Sequence, residues 1–286
     1  MTRIPKKWLF YSLYTLAVAS CFLYYLFPSE AIEAYLTAAI QKQRPSATLT
    51  IGRVAPAFPP GVKASPVSYS EGGPLELALE YVKIMPEIRT AFGASPAFSV
   101  RGEGYEGRMT GRITLDSNRT LSSLHADLAD IQMKAMAALQ RLSGRNIAGT
   151  LSGTIDYEKA DGGTRLTADL SASRFRVDLG IPGVNLKELT FSEANAKLAA
   201  GGGTALRIES LTAKGSQVNG DLSGTIQIRA PFEKSVLDMT GSVRPHPSFI
   251  SDLGSPLAAL FQNRGGNNSF PFAVKGTIEA PEFLLR

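Results

Sequence analysis

Cysteine is almost missing: Cys21 is the only one in 286 residues. A disulfide framework and a thiolate metal site are thereby excluded, and the lone thiol lies inside an apolar stretch. Histidine is nearly as scarce. His125 and His246 stand far apart and without metal-ligand spacing. Charge is sparse too, at 19% of residues, and no dense run of Lys and Arg occurs. The formal charge of +5 would suit nucleic acid, but Arg3, Lys6 and Lys7 supply three of the 30 basic residues and no acid precedes Glu30, so the remainder carries only +2. With no basic patch interleaved with aromatics, nucleic acid is not an expected partner.

Catalytic signatures are also lacking. There is no Gly-x-Ser-x-Gly elbow, no phosphate loop and no dinucleotide fingerprint. Gly162-Gly163 and Gly201-Gly-Gly203 have no following helix and read as hairpin turns. Asp127 and Asp130 flank the end of a predicted strand without a partner base. Asn118-Arg-Thr120 and Asn267-Asn-Ser269 match a glycosylation acceptor at the level of chance. The expectation is a protein that is no enzyme, with no catalytic residue, no cofactor and no metal.

What is present begins with Trp8 to Phe27, 20 residues without a formal charge. As a helix this stretch would be about 30 Å long, the hydrocarbon thickness of a bilayer. Trp8, Tyr11, Tyr24 and Tyr25 sit near its ends, as interfacial aromatics do. Arg3, Lys6 and Lys7 precede it, and Glu30 and Glu33 follow. The asymmetry of positive charge puts the N-terminus in the cytoplasm and the bulk of the chain across the membrane. Val18-Ala-Ser-Cys21 has the form of a lipobox, but Phe22 to Phe27 continues the apolar run past it. An uncleaved anchor is therefore preferred over a lipoprotein or a cleaved signal. The domains expected are a cytoplasmic tip and anchor over 1–28, an amphipathic helix over 29–45 and a β-rich domain over 46–286. In the helix, Ile32, Tyr35, Leu36, Ala39 and Ile40 share one face, and Pro45 ends it.

Beyond residue 75 the pattern is alternation. Met109, Gly111, Ile113 and Leu115 alternate with Thr110, Arg112, Thr114 and Asp116. Leu166, Ala168, Leu170 and Ala172 behave likewise, as do Phe175, Val177, Leu179 and Ile181. Period two predicts half-buried antiparallel strands, roughly ten of them, parted by Gly, Asp, Asn and Ser turns. Leu49-Thr-Ile-Gly-Arg-Val54 is strand-like, and Phe58-Pro-Pro-Gly-Val62 reads as a turn. Gly149-Thr-Leu-Ser-Gly-Thr-Ile155 recurs as Gly220-Asp-Leu-Ser-Gly-Thr-Ile226, with weaker copies at Gly107-Arg-Met-Thr-Gly-Arg-Ile113 and Phe272-Ala-Val-Lys-Gly-Thr-Ile278. Short helices are expected over Tyr81–Phe92, Ile131–Leu142 and Phe249–Phe261, giving a strand, short helix, strand unit. So few helices cannot cover so many strands. The sheet either closes on itself or curls into a trough lined by Met109, Ile113, Leu151, Ile155, Leu222, Ile226, Val274 and Ile278, fit to take acyl chains.

The basic start, the anchor ending Leu26-Phe-Pro-Ser-Glu-Ala-Ile32, the helix after it and Ile51-Gly-Arg-Val-Ala-Pro-Ala-Phe-Pro-Pro-Gly-Val62 together resemble protein N of the bacterial type II secretion system, in its longer form. The later Leu-Ser-Gly-Thr-Ile strands are similar to those of AsmA- and TamB-like envelope proteins. The resemblance implies a mainly β protein, with one transmembrane helix followed by a curved antiparallel sheet. It implies a single-pass inner-membrane location, a periplasmic bulk and an accessory role in exporting folded proteins, with other secretion components as partners. The alternative it implies is an AsmA-like lipid-binding or lipid-transfer protein whose ligands are phospholipid acyl chains. Residues 63–106 offer no motif to match.

Overall fold

The computed structural model describes residues 6–43, 45–57, 61–71, 76–90, 93–160, 163–178, 188–252 and 269–285. Helix α1 spans Lys6–Tyr25 and α2 spans Ser29–Gln43, with Leu26 to Pro28 between them outside the helices. Strand β1 (Ala47–Ile51) pairs with β4 (Val67–Glu71), and β4 with β5 (Glu76–Leu79), in a small three-stranded sheet. All else is one sheet of 14 strands. Its order follows the chain: β2 (Val54–Ala57), β3 (Gly61–Ala64), β6 (Tyr81–Pro86), β7 (Ala97–Gly104), β8 (Gly107–Leu115), β9 (Leu121–Gln132), β10 (Ile147–Ala160) and β11 (Gly163–Asp178), then β12 (Glu188–Ala200), β13 (Ala205–Gly215), β14 (Val218–Gln227), β15 (Val236–Pro245), β16 (Phe270–Thr277) and β17 (Pro281–Leu285). Every neighbouring pair is antiparallel. The terminal strands β2 and β17 do not pair with each other, so the sheet is open.

The fold is mainly β and antiparallel, with few helices, and several expectations need correction. Beyond residue 75, where roughly ten strands were expected, the described residues form 13, from β5 to β17. Tyr81–Pro86 is not helical but strand β6, because Val82, Ile84 and Pro86 alternate and each meets a partner on β7. Residues 91 and 92 of that expected helix lie outside the described residues. In Ile131–Leu142, Ile131 and Gln132 end β9, a 3-10 turn follows over Met133–Ala135, and only α3 (Ala137–Ser143) is α-helical. Gly144, left-handed at φ 62°, caps α3. The third expected helix begins early, as α4 over Pro247–Asp252, and residues 253–261 lie outside the described residues. The expected strand–helix–strand unit thus gives way to a meander. Leu49 to Val54 splits at Gly52 into β1 and β2, which join different sheets. Of the expected Phe58–Val62 turn, 58–60 are outside the described residues and Gly61 and Val62 belong to β3. Leu179 and Ile181 are outside them too, β11 ending at Asp178, as are Gly162, Asn267 and Asn268. Gly201 to Gly203 do form the connection between β12 and β13.

Among the described residues no helix is long and apolar enough to cross a membrane. Helix α1 has 20 residues, but Lys6 and Lys7 open it and Tyr11, Ser12, Tyr14, Thr15, Ser20, Tyr24 and Tyr25 interrupt its apolar run. It also ends two residues before Phe27, so the expected Trp8–Phe27 span is shortened to about 27 Å of helix. Helix α2 packs on β1 and β2, where Ala47, Ile51 and Val54 are buried. The single apolar face expected of α2 is divided: Ile32, Ala39 and Ile40 are half-buried, while Tyr35 stays 72% exposed.

Candidate functional site: an apolar face along fourteen strands

Residues directly opposite each other in an antiparallel sheet point to the same face. Followed strand by strand, the register links Pro56, Val62, Ile84, Val100, Gly111, Ala126 and Ile155. It continues through Ala168, Leu198, Ile208, Gly224, Met239, Val274 and Phe283. This single row crosses all fourteen strands without one polar side chain. At about 4.8 Å per strand it runs roughly 60 Å. A second row beside it starts at Val54 and Ala64, passes Met109, Leu128, Leu170 and Leu222, and ends at Leu285. Two shorter rows flank these, one through Ile113, Tyr157 and Ile226, the other through Ile131, Leu151 and Ala172.

The eight residues expected to line a trough can now be placed. Ile155 and Val274 stand in the first row, Met109 and Leu222 in the second, Ile113 and Ile226 in the third, and Leu151 in the fourth. All seven share one face. Ile278 lies just past the end of β16 and packs against the cluster of Ile208, Leu237, Met239 and Val274. The sequence repeats are not in structural register: Gly153 falls in the second row, whereas its counterpart Gly224 falls in the first. Glycine at Gly224 lets Ile208 and Met239 meet across β14, so that cluster forms within the face.

Cover over this face is uneven. Ala168, Ile208, Met239 and Val274 are buried, whereas Ile84 is 42% and Phe283 73% exposed. The substantial helix-to-strand contacts among the described residues are those of α2 on β1 and β2, and of the Met133–Ala135 turn and α3 on β10 and β5. β2 is an edge strand of the large sheet and β10 a central one, and β11 to β17 make no substantial helix contact among the described residues. Such a surface is shaped for extended apolar groups and holds no charge that would need a counter-ion.

The opposite face is polar and held by cross-strand ion pairs. Lys197 meets Asp169 at 3.4 Å, Lys214 meets Glu193 at 3.9 Å and Arg244 meets Asp221 at 3.3 Å. All are exposed, so each contributes only about 0.2–1 kcal/mol, and their main effect is on register. Asp127 does not flank a strand end, as expected, but lies within β9; Asp130 sits left-handed at a bulge, φ 59°. His125 Nδ1 is 2.6 Å from Asp156 and Nε2 is 3.5 Å from Asp127. The hydrogen bond to Asp156 raises the imidazole above its ordinary pKa, with the charges of Asp156 and Asp127 adding to the shift. These residues are 31 apart in sequence, and only the strand register brings them together. No group of three or more His, Cys, Asp or Glu is placed to hold a metal ion among the described residues. His246 Nε2 is buried without a hydrogen-bond partner among the described residues.

No family model matches the chain, and no characterised protein or solved structure does either.

Proposed function

We propose that this chain is a membrane-tethered protein that holds phospholipid acyl chains on the apolar face of its fourteen-stranded sheet. The observation that supports this most is the uninterrupted row from Pro56 to Phe283. Its length of roughly 60 Å is about twice the hydrocarbon thickness of a bilayer. A face that served only as a protein core would be covered, yet Ile84 and Phe283 remain open.

The tether in this reading is α1. Arg3 precedes it, Lys6 and Lys7 open it, and Glu30 and Glu33 follow it, which orients a single-pass helix with the N-terminus in the cytoplasm and residues 29–286 in the periplasm of a bacterial inner membrane. Trp8, Tyr11, Tyr24 and Tyr25 are exposed near its two ends. The Thr15 hydroxyl donates to the Tyr11 carbonyl at 2.9 Å, satisfying itself inside the helix as a hydroxyl in hydrocarbon must.

A second reading makes the protein an accessory component of the type II secretion system. Its support is the resemblance carried by residues 8–62, within which α2 packs directly on β1 and β2. The two readings are compatible, a secretion component being free to bind lipid.

Native mass spectrometry of the full chain released from mild detergent tests the lipid reading. Wild-type protein should carry phospholipid. Ile155→Asp, on the half-buried middle of the face, should lower retention by about tenfold, while Thr154→Asp on the other face should not. Equal retention in the two variants overturns the lipid reading. Reduced export of folded proteins in a deletion strain, with no lipid on the wild-type protein, would favour the secretion role alone.

A further inference from the structure

The open fourteen-stranded sheet has two edges, β2 and β17, and the small sheet has two more, β1 and β5. An edge presents a row of backbone N–H and C=O groups ready to pair with another chain, and folded proteins blunt such edges. Three of the four are blunted here. Strands β1 and β2 lie against α2. β2 is also only four residues long, and Pro56 within it has no N–H to offer. On β5 two backbone groups are taken by a side chain. The Ala78 N–H donates to the Tyr105 hydroxyl at 2.8 Å, and that hydroxyl donates to the Glu76 carbonyl at 3.1 Å.

β17 lacks these devices. Its substantial contacts among the described residues are with β16 alone. It carries no lysine and no bulge, and its one proline, Pro281, stands at the first position. Two large apolar side chains are left in water, Phe283 at 73% and Leu284 at 47% exposure. Successive residues of a strand point to opposite faces, so β17 is apolar on both sides at once. An edge meant for solvent would carry charge there.

We infer that β17 is a pairing edge and that its partner is β17 of a second copy, aligned antiparallel about Leu284. A twofold axis normal to the sheet makes such a contact self-complementary. Directly opposed residues share a face, so both copies turn their apolar faces to the same side. Leu284 meets Leu284 of the second copy, and Phe283 meets the position of Leu285. Glu282 meets position 286, which the sequence fills with Arg286, so opposite charges face each other at both ends of the new ladder. A register centred on Phe283 would instead set Glu282 against Leu284. A foreign strand would have to offer apolar groups on both faces and a base at the matching end, and the second copy supplies both by symmetry. The apolar face of one copy then runs on into the other. The pairing concerns the edge and not what lies on the face, so it stands whether or not lipid is bound.

Sedimentation of the full chain in mild detergent tests this. Wild-type protein should pass from monomer to dimer as its concentration rises. Leu284→Lys and Leu284→Glu each set like charges against each other across the axis and should weaken dimerisation by about tenfold or more. The two variants mixed in equal amounts should recover it, because opposite charges then face each other, and recovery also shows that both fold. In a Cys21→Ala background, Leu284→Cys should give a disulfide-linked dimer under mild oxidation, whereas Ala55→Cys on the other edge of the sheet should not. A wild type that stays monomeric, a dimer that neither charge variant weakens, or variants that the mixture does not rescue would each overturn the inference. So would linkage of the Leu284→Cys chain to a different protein with none to a second copy.

Discussion

Gly224→Val is expected to lower the unfolding free energy by about 4 kcal/mol, from backbone strain and overpacking together. The backbone at Gly224 has φ 150°, a conformation that side chains other than hydrogen strain to adopt. A Cβ there would also lie 2.3 Å from the Asp238 carbonyl oxygen and 2.6 Å from the Met239 Cα on the neighbouring strand. Both contacts are to backbone, which can yield only by parting β14 from β15. Gly153, at the same place in the other copy of the Gly-x-Leu-Ser-Gly repeat, is alike, with φ 155° and a Cβ that would sit 2.2 Å from the Asp169 carbonyl oxygen. Gly220 is the control: its nearest contact would be an ordinary 3.6 Å, so Gly220→Val should cost under about 1 kcal/mol. Thermal unfolding of the full chain in detergent, followed by the β-sheet circular dichroism signal, distinguishes the two. Equal losses would mean that the close approach of β14 and β15 is not as described.

Ile208→Asp is expected to destabilise the sheet by about 4 kcal/mol, because it buries a carboxylate with no cation beside it. Ile208 is 8% exposed among Leu237, Met239 and Val274. Ile226→Asp shares that face but starts from a half-buried position. Its aspartate can reach water, so the loss should stay under about 2 kcal/mol. The same unfolding measurement reads both. A loss at Ile226→Asp as large as that at Ile208→Asp would show that the face is sealed along its whole length, which an acyl-binding surface cannot be.

Alternation made the antiparallel strands legible in the sequence, because period two is local and each strand carries it whole. That is why Met109, Ile113, Leu151, Ile155, Leu222, Ile226 and Val274 could be assigned to one side of a sheet before any strand was paired. Short strands were harder. Tyr81 to Pro86 offers Val82, Ile84 and Met85, which with Ile88 also fit a helix, and only pairing with β7 decides between them. β2 and β3 are four residues each, too short to show a period. Register was out of reach altogether, since it depends on bulges such as those at Asp130 in β9 and at Glu209 in β13. The register also sets Lys63 opposite Lys83 and Lys83 opposite Arg101, pairings invisible along the chain for that reason. His125 and Asp156 meet for the same reason and were equally hidden.

The central claim is that acyl chains lie on one face of this sheet and not on the other, and photo-crosslinking in living cells tests it most directly. A photoreactive amino acid is placed, one site at a time, at Ile84, Ile155 and Ile226 on the apolar face, and at Lys83, Thr154 and Thr225 on the polar one. After irradiation the purified chain is examined for covalently attached lipid by mass spectrometry. The account predicts phospholipid adducts joined through their acyl chains at the three apolar positions and none at the polar three. Adducts absent from all six, or equally abundant on both faces, would contradict it.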